Sequence, residues 1–66
     1  EVAVPEDWQG RSIGELDIRR KYGVNILGVK RDNKTDMNIS PETVLDADMT
    51  LLVLGENQEL KKHFHL

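Results

Sequence analysis

Residues 13–31, IGELDIRRKYGVNILGVKR, set a short basic helical segment directly before a strand of almost unbroken apolar residues. Ten residues on, Pro41 breaks the chain, and LDADMTLLVLG follows at 45–55. That second block reads as another buried strand, with a charged approach and a glycine exit. Two apolar strands, one of them fed by a helix, restrict a chain this short to a small mixed arrangement of strands and helices.

Sixty-six residues make one domain, and a marginal one. Small chains bury a smaller share of their surface and usually need disulfides, a metal or a partner subunit. Cysteine is absent, which removes disulfides and thiolate sites and is consistent with a reducing compartment. Oligomerisation is the remaining aid, and it is the expected one. No apolar run approaches the ~20 residues of a membrane helix, and the first residues lack the basic-then-apolar form of a signal peptide. The net charge of −3 argues against general nucleic-acid binding, which needs a basic face. Beginning already strand-like at Glu1-Val2-Ala3-Val4, residues 1–66 read as one domain cut from a longer protein.

Val2 and Val4 alternate with other residues and stop at Pro5, as a short first strand does. A polar connector with Trp8 and Gly10 follows. Ser12 and Glu15 fit a capping box, which satisfies free backbone N–H groups at a helix start. At about 100° per residue, Ile13 and Leu16 share one helical face, while Ile18 and Tyr22 lie on a quite different one. Either the segment breaks near Asp17, which then caps a second turn over 18–22, or two faces are covered by different things. Gly23 supplies the exit. Residues 24–29 read as a strand with Lys30 and Arg31 at its solvent end. Asp32-Asn33-Lys34 reads as a hairpin turn, and residues 35–39 return as a weaker edge strand. Residues 50–54 form the second strong strand, ended by Gly55. Asn57 then caps a final helix in which Leu60 and Phe64 stack one turn apart. The order β-α-β-β-β-α places the fold in the α+β class.

Catalysis finds little support in this pattern. His63 and His65 point about 200° apart on a helix, so they do not share a metal and read as solvated terminal residues. Asp46 and Asp48 directly precede a strand, where acidic residues commonly form turns. The glycines lack phosphate-loop spacing, and no hydroxyl sits beside a plausible base. Arg19, Arg20 and Lys21 are the one local excess of positive charge. They suit first a solvated helix face near a C-terminus; the competing reading is an anion site, since arginine presents a planar fork of donors. Ile18, Tyr22 and Ile26 stand beside them with enough apolar surface for the flat face of a base. Asn25 adds an amide that donates and accepts at once, although a buried strand asparagine often serves a local backbone group.

The run GRSIGELDIRRKYGVNILGVKRD, followed by SPETVLDADMTLLVLG, resembles the C-terminal subdomain of RCK regulators, the TrkA-C domain. The likeness is strongest to the cytosolic gating subunit of Ktr-type bacterial potassium uptake systems. It implies a small RCK_C-like domain that forms a symmetric homodimer and follows a nucleotide-binding Rossmann domain. It also implies cyclic di-AMP as ligand, with contacts at Ile13, Ile18, Arg19, Tyr22, Val24, Asn25, Ile26 and Pro41. Ile13, Ile18, Ile26 and Pro41 would form an apolar slot for adenine, Arg19 would face phosphate, and Asn25 would hydrogen-bond the nucleotide. Lys21 would sit on the rim. One departure is Ala47, where the family often has glycine before the aspartate. Alanine is strained there if the turn requires positive φ.

The resemblance therefore implies a regulatory, non-enzymatic, cytoplasmic domain, held at the inner face of the membrane by a potassium transporter or channel subunit. It implies no metal and no nucleic acid. Two other readings remain at this point: a structural dimerisation module without nucleotide, and the regulatory tail of a cation/proton antiporter.

Overall fold

The computed structural model describes residues 1–64, so the expectation for His65 lies outside the described residues. The elements are β1 (Val2–Ala3), a single 3-10 turn (Glu6–Trp8), α1 (Ile13–Leu16), α2 (Ile18–Tyr22), β2 (Val24–Arg31), β3 (Lys34–Asp36), β4 (Thr50–Gly55) and α3 (Asn57–Phe64). The strands form one antiparallel sheet in the order β1-β4-β2-β3. The α+β class and the expected element order hold, with the anticipated helix divided in two at Asp17.

The two strong strands lie at the centre of the sheet because both carry apolar side chains toward the helices. Val24, Ile26 and Val29 of β2 pair with Gly55, Val53 and Leu51 of β4. Val24 and Val29 have opposite parity, so a regular strand would point them to opposite faces. The register shift between Ile26 and Gly28 inserts Leu27 as an extra residue and restores Val29 to the core face. Leu51, Val24 and Leu45 are completely buried, and Trp8, Val2, Val4, Leu16, Ile18 and Val29 complete the core.

Trp8 is the largest of these side chains, and aromatic rings surround it. Its ring lies 4.9 Å from Tyr22 and 5.3 Å from Phe64, centroid to centroid. Leu60 and Phe64 turn one side of α3 onto the core as expected. The helix begins one position earlier than the sequence suggests: the Leu60 amide donates to the Glu56 carbonyl, so Glu56 and not Asn57 opens it. His63 is not simply solvated, since its ring stacks edge-on against Tyr22 at 4.8 Å and its Nε2 lies 3.3 Å from Glu59.

The hairpin between β2 and β3 closes through Asp32 and Asn33, with φ of 53° and 64°. Positive φ at both central positions matches the right-handed strand twist, and Asp and Asn tolerate it. β3 ends at Asp36, short of the expected residue 39. The Asn38 amide there donates to the Asp36 carboxylate at 2.8 Å, which turns the chain away from the ladder. Ala47 is absent from the residues with positive φ, so the turn before Asp48 carries no left-handed strain.

The segment between β3 and β4 is fastened to the start of α1. Leu45 donates to Arg11, Gly10 to Leu45, Ile13 to Thr43 and Gly14 to Pro41, at 2.8–2.9 Å. Arg31 closes its far end, with Asp46 at 2.7 Å and Asp48 at 3.3 Å. The two aspartates therefore serve an ion-paired turn, as the sequence reading preferred.

Candidate ligand cavity

The first helix, the kink after it and the start of β2 meet the Pro41 segment around one cavity of ≈ 280 Å³. Ile13, Ile18, Arg19, Val24, Asn25, Ile26 and Pro41 all line it, together with Gly14 and Asp17. Seven of the eight positions implied by the resemblance thus come together from three separate stretches of chain.

Tyr22 is the exception. It is engaged by Trp8 on one side and His63 on the other, and it does not line the cavity. α2 is one short turn, so Ile18 and Tyr22, four residues apart, share its inner side. Lys21 is exposed and likewise lies outside the lining.

Each lining residue arrives for a local reason. The Ser12 hydroxyl accepts the Glu15 amide at 3.1 Å and opens α1, which sets Ile13 at the entrance. Asp17 stands in the left-handed region, φ 51° and ψ 49°, and ends α1. Gly23, also left-handed at φ 70°, ends α2 and delivers the chain to Val24. Val24 and Ile18 are buried and form the floor. Ile26 and Ile13 are half-buried, and Pro41 is exposed. These three give the walls their apolar surface.

Asn25 is exposed on the side of the sheet away from the core, opposite Leu54. It is not the buried strand asparagine that a continuous apolar run suggests. Among the described residues its side-chain amide makes no hydrogen bond within the chain.

The charges at the cavity divide unevenly. Asp17 is 2.6 Å from the Arg20 guanidinium. Arg19 has no carboxylate partner among the described residues. A guanidinium with all its donors free, beside apolar walls and a free carboxamide, suits a ligand with an anionic group and a flat apolar part. Among the described residues, no three His, Cys, Asp or Glu side chains are grouped to hold a metal.

Gly14 and Asp17 are the two lining residues that sequence reasoning did not assign. Gly14 carried a signal: glycine inside a helix often marks a close approach of backbone. A Cβ there would stand 3.0 Å from both the Pro41 Cβ and the Pro41 carbonyl oxygen.

Fold and cavity together define a small α+β domain with a mixed apolar and cationic pocket beside its central strand. Residues 1–65 match the TrkA-C domain, and the chain belongs to that family. Among curated relatives, it is 33% identical over 57 residues to the K(+)/H(+) antiporter subunit KhtT of Bacillus subtilis, covering 85% of this chain and 34% of that protein. To the Ktr system potassium uptake protein A of the same organism it is 26% identical over 62 residues, covering 94% of this chain and 28% of that protein. The chain thus spans about a third of the length of these relatives.

Among solved structures, it resembles the RCK C domain of potassium transport protein KtrA in complex with cyclic diadenosine monophosphate. The TM-score is 0.82 at 31% identity, over 92% of this chain and 72% of that one. The RCK_C domain dimer of S. agalactiae BusR, also in complex with c-di-AMP, shares the fold: TM-score 0.76 at 21% identity, over 96% of this chain and 87% of that one.

Proposed function

We propose that this chain is a ligand-sensing regulatory domain of a bacterial potassium transporter or channel, acting as a homodimer that binds cyclic di-AMP where two copies meet. The observation that carries the reading is the convergence of Ile13, Ile18, Arg19, Val24, Asn25, Ile26 and Pro41 on one cavity. The likeness to the KtrA domain in complex with the same nucleotide supports it.

Arg19 faces a phosphate, the Asn25 amide hydrogen-bonds the nucleotide, and Ile13, Ile26 and Pro41 hold the base over a floor of Ile18 and Val24. Tyr22 contributes from behind, by packing α2 in place. Size favours a shared site. Ligand pockets run from roughly 300 to 1,000 Å³, and one cavity of ≈ 280 Å³ falls just short. Two cavities facing across a diad reach that range, and a two-fold symmetric ligand suits an isologous interface. A micromolar affinity is about −8 kcal/mol, so each half-site need supply only half. The exposed Leu27, Met37 and Leu54 support pairing of copies, because Leu54 lies beside Asn25 and extends apolar surface from the cavity.

The reading includes a preceding domain, a cytoplasmic setting at the inner membrane face beside the transporter partner, and no catalytic role. Regulation follows if the nucleotide prefers one dimer geometry, since only differential affinity shifts an equilibrium. Among the described residues, no helix is long and apolar enough to cross a membrane.

Calorimetry with cyclic di-AMP tests the proposal. Saturable binding is expected, with one nucleotide per two chains as the symmetry requires. A dimeric sample that shows no saturable binding overturns it. The likeness to the KhtT subunit favours a second setting, the same domain regulating a cation/proton antiporter. The sequence preceding the domain and the membrane protein it co-purifies with separate the two.

A further inference from the structure

We infer that Asp17 is a positioning residue for the cavity, and that its left-handed backbone turns Arg19 onto the rim and Ile18 into the floor. The inference rests on the ligand reading above and adds the residue that sets its geometry.

A continuous helix through residues 13–22 could not produce the observed burial. At about 100° per residue, Leu16 and Ile18 would lie roughly 200° apart, and Arg19 would fall roughly 60° from Leu16, at the edge of the buried face. Yet Leu16 and Ile18 are both buried in one core, and Arg19 is exposed at the cavity. The interruption at Asp17 resolves this conflict. Its amide closes α1 by donating to the Ile13 and Gly14 carbonyls, each at 3.2 Å, and its carbonyl opens α2 by accepting the Lys21 amide at 2.9 Å. One residue ends a helix and starts the next in a new direction.

The side chain does something else. It makes no capping hydrogen bond, and its carboxylate pairs with Arg20, which leaves Arg19 to the cavity. The geometry therefore needs a residue that accepts positive φ. Glycine does so without strain, Asn and Asp tolerate it, and β-branched residues resist it most.

The test measures cyclic di-AMP affinity by calorimetry for wild type, Asp17→Asn, Asp17→Gly and Asp17→Val, each with and without Arg19→Ala. Circular dichroism checks the fold. Asp17→Asn and Asp17→Gly are expected to bind within about fivefold of wild type, because an exposed ion pair contributes little. Asp17→Val is expected to bind about tenfold more weakly, in line with the left-handed penalty of a residue branched at Cβ. Arg19→Ala should weaken Asp17→Val by several-fold less than it weakens wild type, a coupling that a purely structural residue would not show. Should Asp17→Val fail to fold, the same cycle is read on Asp17→Ala.

Three results count against the inference alone: Val binding like wild type, equal losses for Asn, Gly and Val, or the same Arg19→Ala loss in every background. Absence of saturable binding by wild type removes the ligand reading itself, and this inference with it.

Discussion

The Gly14 amide donates to the Pro41 carbonyl at 2.8 Å, joining the first helix to the segment that walls the cavity on its far side. The two backbones approach so closely that a Cβ on Gly14 would press on Pro41. Replacing Gly14 by Val is therefore expected to push that wall outward. Overpacking of this kind costs about 1–3 kcal/mol, and the displaced Pro41 should weaken cyclic di-AMP binding as well. Urea denaturation and calorimetry read the two effects. Unchanged stability with unchanged affinity would show that the close approach is not required.

Arg19 and Asn25 should affect binding without affecting assembly. Hydrogen bonds to charged groups contribute about 1.5–3 kcal/mol and neutral ones about 0.5–1.5 kcal/mol. Arg19→Ala is thus expected to cost more affinity than Asn25→Ala, with the dimer persisting in both by size-exclusion chromatography. The loss at Arg19 should shrink at high salt. Equal affinity in both variants and wild type contradicts the assigned roles.

Trp8→Ala should be the most damaging single change. At roughly 0.05–0.15 kcal/mol per residue, a chain of this size has about 3–10 kcal/mol of stability in all. Removing a buried Trp costs about 3–5 kcal/mol, and here it also strips the rings of Tyr22 and Phe64 of their partner. Far-UV circular dichroism in urea should show a midpoint no higher than about 70% of the wild-type value, and no folded baseline at all if the total lies at the low end of that range. A native midpoint would mean the core does not depend on this side chain.

Arg31→Ala should do little by comparison. Its pairs with Asp46 and Asp48 are largely exposed, and exposed pairs are worth about 0–1 kcal/mol. The expected outcome is a small drop in urea midpoint that fades as salt rises, with cyclic di-AMP affinity unaltered. A large loss of affinity would tie these aspartates to the site, against the structural role given to them here.

Much of the fold was legible because the strong signals were local. Val24, Val29, Leu51 and Val53 announce two apolar strands, Ser12 and Glu15 mark a helix start, and Asp32-Asn33 suit a turn that demands positive φ. The break in periodicity left two readings open, an interruption near Asp17 or a second helical face with outside cover. The structure shows the interruption, and the kink at Asp17 turns Ile18 into the same core as Leu16. Tyr22 follows it, and so belongs to the aromatic cluster and not to the cavity. Asn25 reads as buried from its neighbours alone, whereas strand pairing sets it on the open face.

Sequence alone determined which segments are strands, where the chain turns, and which family the chain resembles. Those properties depend on residue types within a few positions of one another. Only the tertiary structure decided which side chains share a space: Pro41 lies 28 residues from Ile13 along the chain and reaches it through backbone bonds that no local pattern encodes. The direction of Arg19 was decided in the same way, by one left-handed residue, Asp17 at φ 51° and ψ 49°, whose angles each differ by roughly 100° from helical values and redirect everything after it.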